Sequence, residues 1–161
     1  MLFLKEINKS IDRKYEVFFD NNKTYNLVSS SQEDVITAYS LEEAGMLIIN
    51  RSGYVQEVEI LFSNPICSYY PNYTSRRIEY GLPILKHISL NDTLLSVLYL
   101  DWNRNQSLLL FKFNITEFDL KVSYKNINFL FVNNELLGIE TLTLINDYDD
   151  LHQTVWLDNI L

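Results

Sequence analysis

Positive charge is missing from the last quarter of this chain. After Lys125 no Lys or Arg occurs, while Glu135, Glu140, Asp147, Asp149, Asp150 and Asp158 all fall there. These six acids sit in a protein of net charge -8 and pI about 4.7. A surface of that sign repels nucleic-acid phosphates and anionic lipid. It speeds encounter with a basic partner, although charge of this kind also serves solubility alone. Nucleic acid and membrane are therefore not expected as partners.

Cysteine is nearly absent. The single Cys67 excludes an internal disulfide, and nothing implies an oxidising compartment. Its setting, "NPICSYYPNY", places no His or acid as a catalytic partner. Glycine is scarce as well: Gly45, Gly53, Gly81 and Gly138 are isolated, so no phosphate-cradling loop exists. Histidine is limited to His87 and His152, and no Cys or His pair has metal-ligand spacing. No Ser sits in a nucleophile elbow. Neither a metal nor a cofactor is expected. No apolar run approaches the roughly 20 residues of a membrane-spanning helix. The N-terminal "MLFLKEINKSIDRK" carries charge from Lys5 onward without an apolar core of signal length. A cytoplasmic protein is expected.

What is present is mostly strand. The 161 residues are 47% hydrophobic, enough for one domain, 1–161, burying about 70% of the unfolded surface. "KYEVFFD" (14–20) and "TYNLVSS" (24–30) flank an Asn-rich turn. In "SQEDVITAYSLEEAG", Ser31 is placed to cap a short helix over Glu33 to Ala38, against the poor helix propensity of Val35, Ile36 and Thr37. Strands are expected at 46–50 and 54–62 around "NRSG", at 94–101 and 107–114 around "WNRNQ", and at 118–124, 127–132 and 136–145. "FDLKVSY" alternates, with Phe118, Leu120, Val122 and Tyr124 on one face. Between these lies an irregular stretch from Ser63 to Pro83. It holds the three prolines and Tyr69, Tyr70, Tyr73 and Tyr80, and is read as a long loop with one short strand at 76–80. From Asn146 or Asp147 a capped helix is expected to close the chain, with Leu151, Val155 and Trp156 facing the sheet. The expected class is a β-rich α+β fold: an antiparallel sheet of consecutive hairpins, few short helices and a C-terminal helix.

One pattern occurs twice. "MLIINRSGYVQEVEILF" (46–62) and "FLFVNNELLGIETLTLI" (129–145) each read as strand, turn and strand. Val58-Glu59 aligns with Ile139-Glu140. Glu57 and Glu59 share a strand face, but only one of the two acids returns in the second copy. A structural hairpin used twice explains this better than a carboxylate pair built for catalysis.

Two clusters invite chemistry. "NDYDDLH" groups Asp147, Asp149, Asp150 and His152, but lacks the Gly and distal Glu of an EF-hand, and helix capping accounts for the same acids. Arg76 and Arg77 beside the tyrosines suit a protein-binding edge, since Tyr and Arg are favoured interface anchors. Trp102, in a polar hairpin turn, is a further anchor candidate.

The size, the acidity, the strand-rich "INFLFVNNELLGIETLTLIND" and the missing active site together resemble the small immunity proteins that bacteria pair with polymorphic or contact-dependent growth-inhibition toxins. The resemblance is one of type and carries no motif. It implies a non-catalytic toxin inhibitor that binds a cognate basic toxin domain, of which nucleases are one class. On this reading Asp147, Asp149, Asp150, Glu135 and Glu140, with Glu57 and Glu59 behind them, supply the acidic surface. Trp102, Tyr69, Tyr70 and Tyr73 supply aromatic anchors. The rival is a small-molecule-binding β module or weak hydrolase using His87 or His152 as acid or base.

Overall fold

The computed structural model describes residues 2–19, 24–29, 35–41, 45–61, 66–87, 95–101 and 103–142. Every regular element among them is a strand. In chain order these are β1 (Leu2–Asn8), β2 (Tyr15–Phe19), β3 (Thr24–Ser29), β4 (Val35–Leu41), β5 (Gly45–Asn50), β6 (Val55–Leu61) and β7 (Thr74–Tyr80). There follow β8 (Leu82–His87), β9 (Val97–Asp101), β10 (Gln106–Leu110), β11 (Glu117–Tyr124), β12 (Ile127–Val132) and β13 (Glu135–Thr141).

The α+β expectation is corrected: the described chain is all-β, without helix. The short helix expected over Glu33 to Ala38 gives way to β4, which pairs antiparallel with β5. Val35, Ile36 and Thr37 are β-branched and lose side-chain freedom in a helix, whereas a pleated strand accommodates them. The expected C-terminal helix, from 146 on, lies outside the described residues.

The strands form two sheets. One is antiparallel, in the order β2-β3-β6-β5-β4. Here β4, β5 and β6 are successive hairpin neighbours and β3 returns beside β6, a Greek-key arrangement. The other is eight-stranded and mixed, along the path β7-β11-β12-β13-β1-β8, with β10 and β9 branching from β13. Hairpins at β9–β10 and β11–β12–β13 follow the expected order. Besides the β10–β13 pairing, two features depart from consecutive hairpins. β1 inserts between β13 and β8, and β7 runs parallel to β11.

The two ends of that path, β7 and β8, are consecutive in the chain and separated only by Gly81. One bent stretch thus pairs with β11 in its first half and β1 in its second, and the sheet curls round on itself. Gly81 makes the bend possible. Its φ is 142°, and its N–H donates to Ser123 O at 3.0 Å. A Cβ there would lie 2.6 Å from Ile7 Cγ2 and 2.7 Å from Asn8 O.

With so few glycines, Asn takes over most of the left-handed turn positions, Lys125 being the exception. Asn105, Asn114, Asn133 and Asn134 all have positive φ. Asn tolerates this region better than most side chains. The adjacent pair Asn133-Asn134 forms the two-residue turn between β12 and β13, with both φ values positive as a type I′ hairpin requires.

One cluster of buried side chains lies between the sheets. Leu27, Leu47, Val58 and Ile60 come from the five-stranded sheet, and Leu82, Leu120, Val122, Phe129, Phe131 and Ile139 from the curled one. Each such side chain contributes on the order of 1.5–3 kcal/mol when fully buried. Polar pairs cross the interface too. Tyr25 OH meets Ser107 Oγ at 3.1 Å, and Leu85 N–H donates to Gly53 O at 2.7 Å; within the curled sheet Ser107 Oγ also bonds Thr141 Oγ1. A second apolar cluster covers other side chains of the curled sheet: Leu108, Leu110, Phe118, Leu130 and Leu137, with Tyr70, Tyr73 and Tyr99 packed on them. That cluster positions the candidate site.

Candidate functional site: a buried carboxylate beneath an aromatic loop

The site begins with a register. On β13, Glu140 lies opposite Leu108 of β10 on one side and Asn128 of β12 on the other. A bulge sets this phase. Leu130 pairs with Gly138 and Phe131 with Leu136, so Leu137 is the extra residue. Ile139 joins the core between the sheets, and Glu140 points to the opposite face. Glu140 is only 5% exposed.

What covers it is the segment 66–73. At one end Ile66 pairs with β9: its N–H donates to Leu98 O and its carbonyl accepts from Leu100 N–H, both at 2.9 Å. At the other end Thr74 N–H donates to Thr116 O, ahead of β11. In the sheet β9 and β11 are separated by β10, β13 and β12. The segment therefore crosses the face on which Glu140 stands, and its tyrosines pack on the second apolar cluster.

Three neutral donors hold the carboxylate. Tyr70 OH donates to Glu140 Oε2 at 2.7 Å, Tyr73 OH to Oε1 at 2.5 Å, and Asn128 Nδ2 to Oε1 at 2.9 Å. The Tyr73 ring meets Phe118 edge-on at 5.6 Å, and Lys121 Nζ lies 5.5 Å from the Tyr73 ring centroid. Burial pushes both phenols above the ordinary tyrosine range, and the neighbouring carboxylate pushes them further. They stay protonated and act as donors. A carboxylate with both oxygens engaged, beneath phenols that resist ionisation, is arranged to position a segment rather than to move a proton.

The positioned segment presents one aromatic outward. Tyr69 is 61% exposed, although its neighbour Tyr70 is anchored to Glu140. Its ring meets Tyr99 edge-on at 6.3 Å, which limits its freedom without covering it.

The structure thus brings together Glu140, Tyr70 and Tyr73, with Tyr69 beside them, and separates the other candidates. Glu140 lies under the tyrosines, not on an acidic surface. Glu135 is half-buried at the start of β13, paired with Phe3 of β1 and Val132 of β12. Glu57 and Glu59 belong to β6 in the other sheet. Glu57 is half-buried, and its carboxyl is raised by burial first and by the Glu59 charge second. Glu59 is exposed between Asn26 and Met46. His87 ends β8, half-buried, with its ring 6.3 Å from that of Tyr39 at an angle of 76°. Trp102, Asp147, Asp149, Asp150 and His152 lie outside the described residues.

Asn128 and Lys121 join the cluster without having been singled out from the sequence. Asn128 is the one polar side chain in "INFLFV", which marked it as unusual. Among the described residues no group of three His, Cys, Asp or Glu could hold a metal ion. Among them, too, no helix is long and apolar enough to cross a membrane. The chain matches no protein-family model and no curated protein sequence.

Proposed function

We propose that this chain is a non-catalytic binding protein of the cytoplasm, an immunity-type inhibitor that captures a cognate basic toxin domain. The observation that carries the reading is the loop at 66–73: tied down through Tyr70 and Tyr73 on a buried carboxylate, it holds Tyr69 out to solvent. A pre-positioned exposed aromatic suits a protein interface, because little ordering entropy remains to be lost on binding. The net charge of -8 supports a basic partner and fast, salt-sensitive association. Glu59 is one exposed acid of that surface, and Asp147, Asp149 and Asp150 are assigned to it from the sequence.

The test is calorimetric titration of the purified chain against the polypeptide encoded immediately upstream in its genome, at low and high salt. The expected result is a one-to-one complex whose affinity falls with salt. Tyr69→Ala should weaken it roughly tenfold or more, as loss of an aromatic anchor does, without lowering the melting temperature. A chain that neither binds that polypeptide nor relieves its toxicity refutes the reading. Unchanged affinity in Tyr69→Ala removes the loop from the interface.

A further inference from the structure

Strand β7, "TSRRIEY", ends the strand order of the curled sheet. Among the described residues it pairs on one side only, with β11. Its other edge carries main-chain groups that no described strand satisfies. The strand is well exposed along its length: Arg76 and Arg77 stand in solvent, Ile78 is 46% exposed and Tyr80 is 70% exposed. An open edge of this kind invites a further strand. Arginines on an edge ordinarily discourage that, unless the incoming strand brings opposite charge to the right positions.

The strand itself is such a partner. Antiparallel pairing of β7 with a second β7 around a two-fold axis admits few registers. With Arg77 on the axis, two arginines face each other. With Glu79 on the axis, two glutamates do. With Ile78 on the axis, each Arg77 comes opposite Glu79 of the second copy, each Arg76 opposite its Tyr80, and Ile78 opposite Ile78. That one register makes two ion pairs, two cation–π pairs and a central apolar contact from a seven-residue strand. It is also isologous, so the assembly closes as a dimer rather than growing into a filament.

We propose that β7 is a self-pairing edge through which two copies of this chain join their curled sheets, antiparallel, about a two-fold axis at Ile78. The pairing uses no residue of the segment 66–73, and the proposal is independent of the toxin reading. A single strand pair buries less than the roughly 1,200 Å² of a standard interface, so the dimer is weak and concentration-dependent.

Sedimentation velocity from about 5 to 500 µM tests it. The wild type should pass from monomer to dimer. Arg77→Glu or Glu79→Arg places like charges opposite each other twice per dimer and should raise Kd at least about tenfold. The double swap Arg77→Glu/Glu79→Arg restores both pairs and should bring Kd back to within about threefold of the wild type. Ile78→Cys in a Cys67→Ser background should oxidise to a covalent dimer, because residues opposite each other in antiparallel strands have Cα atoms about 4.5–5.5 Å apart, within disulfide reach. Arg77 and Ile78 are exposed and Glu79 and Cys67 half-buried, and unchanged circular dichroism should accompany each variant. A protein that stays monomeric throughout overturns the proposal, as does a dimer indifferent to both single swaps. Failure of the double swap to recover, or of Ile78→Cys to cross-link, overturns the register.

Discussion

Replacing Tyr73 by Phe removes one hydroxyl from the carboxylate cluster and leaves the ring on Phe118 in place. The lost bond is one to a charged, buried acceptor, a class that contributes about 1.5–3 kcal/mol each. Glu140 Oε1 keeps Asn128 Nδ2 as a donor, which argues for the middle of that range, about 2 kcal/mol. For a chain of this size that corresponds to a fall in melting temperature of roughly 4–8 °C. Glu140→Gln keeps the shape but withdraws the charge that both phenols face, and should also cost about 2 kcal/mol. The decisive quantity is the coupling. Once Glu140 is Gln, the Tyr73 hydroxyl has lost its charged acceptor, so the double variant should be more stable than the sum of the singles predicts by about 1 kcal/mol or more. Urea denaturation measures this, with midpoints shifting at constant slope. Hydrogen exchange supplies the local readout: amides of 67–73 should lose protection in Tyr73→Phe before those of β12 and β13. Additivity to within about 0.3–0.5 kcal/mol would refute the claim that Glu140 holds the loop through Tyr73.

The same phenols predict an alkaline limit. Tyr70, Tyr73 and the wholly buried Tyr25 have folded-state pKa values above the ordinary value of 10.0. Above about pH 10 the unfolded chain loses these protons while the folded chain keeps them, so the folded state binds more protons and stability falls as pH rises. The contribution is intact below pH 10, and the decline above it should reach about 1.4 kcal/mol per pH unit for each tyrosine. Tyr70→Phe/Tyr73→Phe should flatten the slope measured by urea denaturation between pH 9 and 11, and an unchanged slope would exclude these phenols as its source. At Gly81, substitution by Ala combines a positive φ with a Cβ 2.6 Å from Ile7 Cγ2 and 2.7 Å from Asn8 O. The expected destabilisation is about 2–4 kcal/mol by chemical denaturation; less than about 1 kcal/mol would mean that β1 moves aside at little cost and does not hold the bend closed.

Local pairing was legible in the sequence and long-range pairing was not. Alternation and Asn-rich turns placed the hairpins at 46–62, 118–132 and 127–145 close to where they form, because period-two patterning and turn chemistry are local properties. The insertion of β1 between β13 and β8, and the parallel run of β7 along β11, depend on contacts far apart in the chain. No window of sequence contains them. In the irregular stretch 63–83 the short strand expected at 76–80 falls within β7, but the prolines and tyrosines hid its extent, since Thr74 to His87 is nearly continuous strand bent at Gly81. The α+β class failed at Val35–Thr37, where a capping pattern was weighed against β-branched residues and pairing with β5 favoured the strand. In the site, Tyr70, Tyr73 and Glu140 were each singled out, but as surface anchors. Their convergence was hidden by a single residue. Counting back from the Asn133-Asn134 turn in simple register sets Asn128 opposite Ile139. Only the bulge at Leu137 moves it opposite Glu140.

The repeated hairpin shows what that difference in level means. Both copies fold as strand, turn and strand, and both carry one extra residue in the return strand, Gln56 in one and Leu137 in the other. The alignment of Val58 with Ile139 places those two bulges at matching positions. Val58 and Ile139 are each 1% exposed, facing the shared core from opposite sheets. The next residue is glutamate in both, and it turns to the other face in both. Glu59 meets solvent there and remains an exposed acid. Glu140 meets the segment 66–73, which brings two phenols to it and closes it off. Identical local rules therefore deliver one carboxylate to the surface and the other to a buried clamp. The deciding term is tertiary: whether another part of the chain crosses that face carrying donors. An unpartnered carboxylate under Tyr70 and Tyr73 would be too costly to keep. With three donors it becomes the feature that ties an otherwise irregular segment to the sheet and leaves Tyr69 standing clear of it.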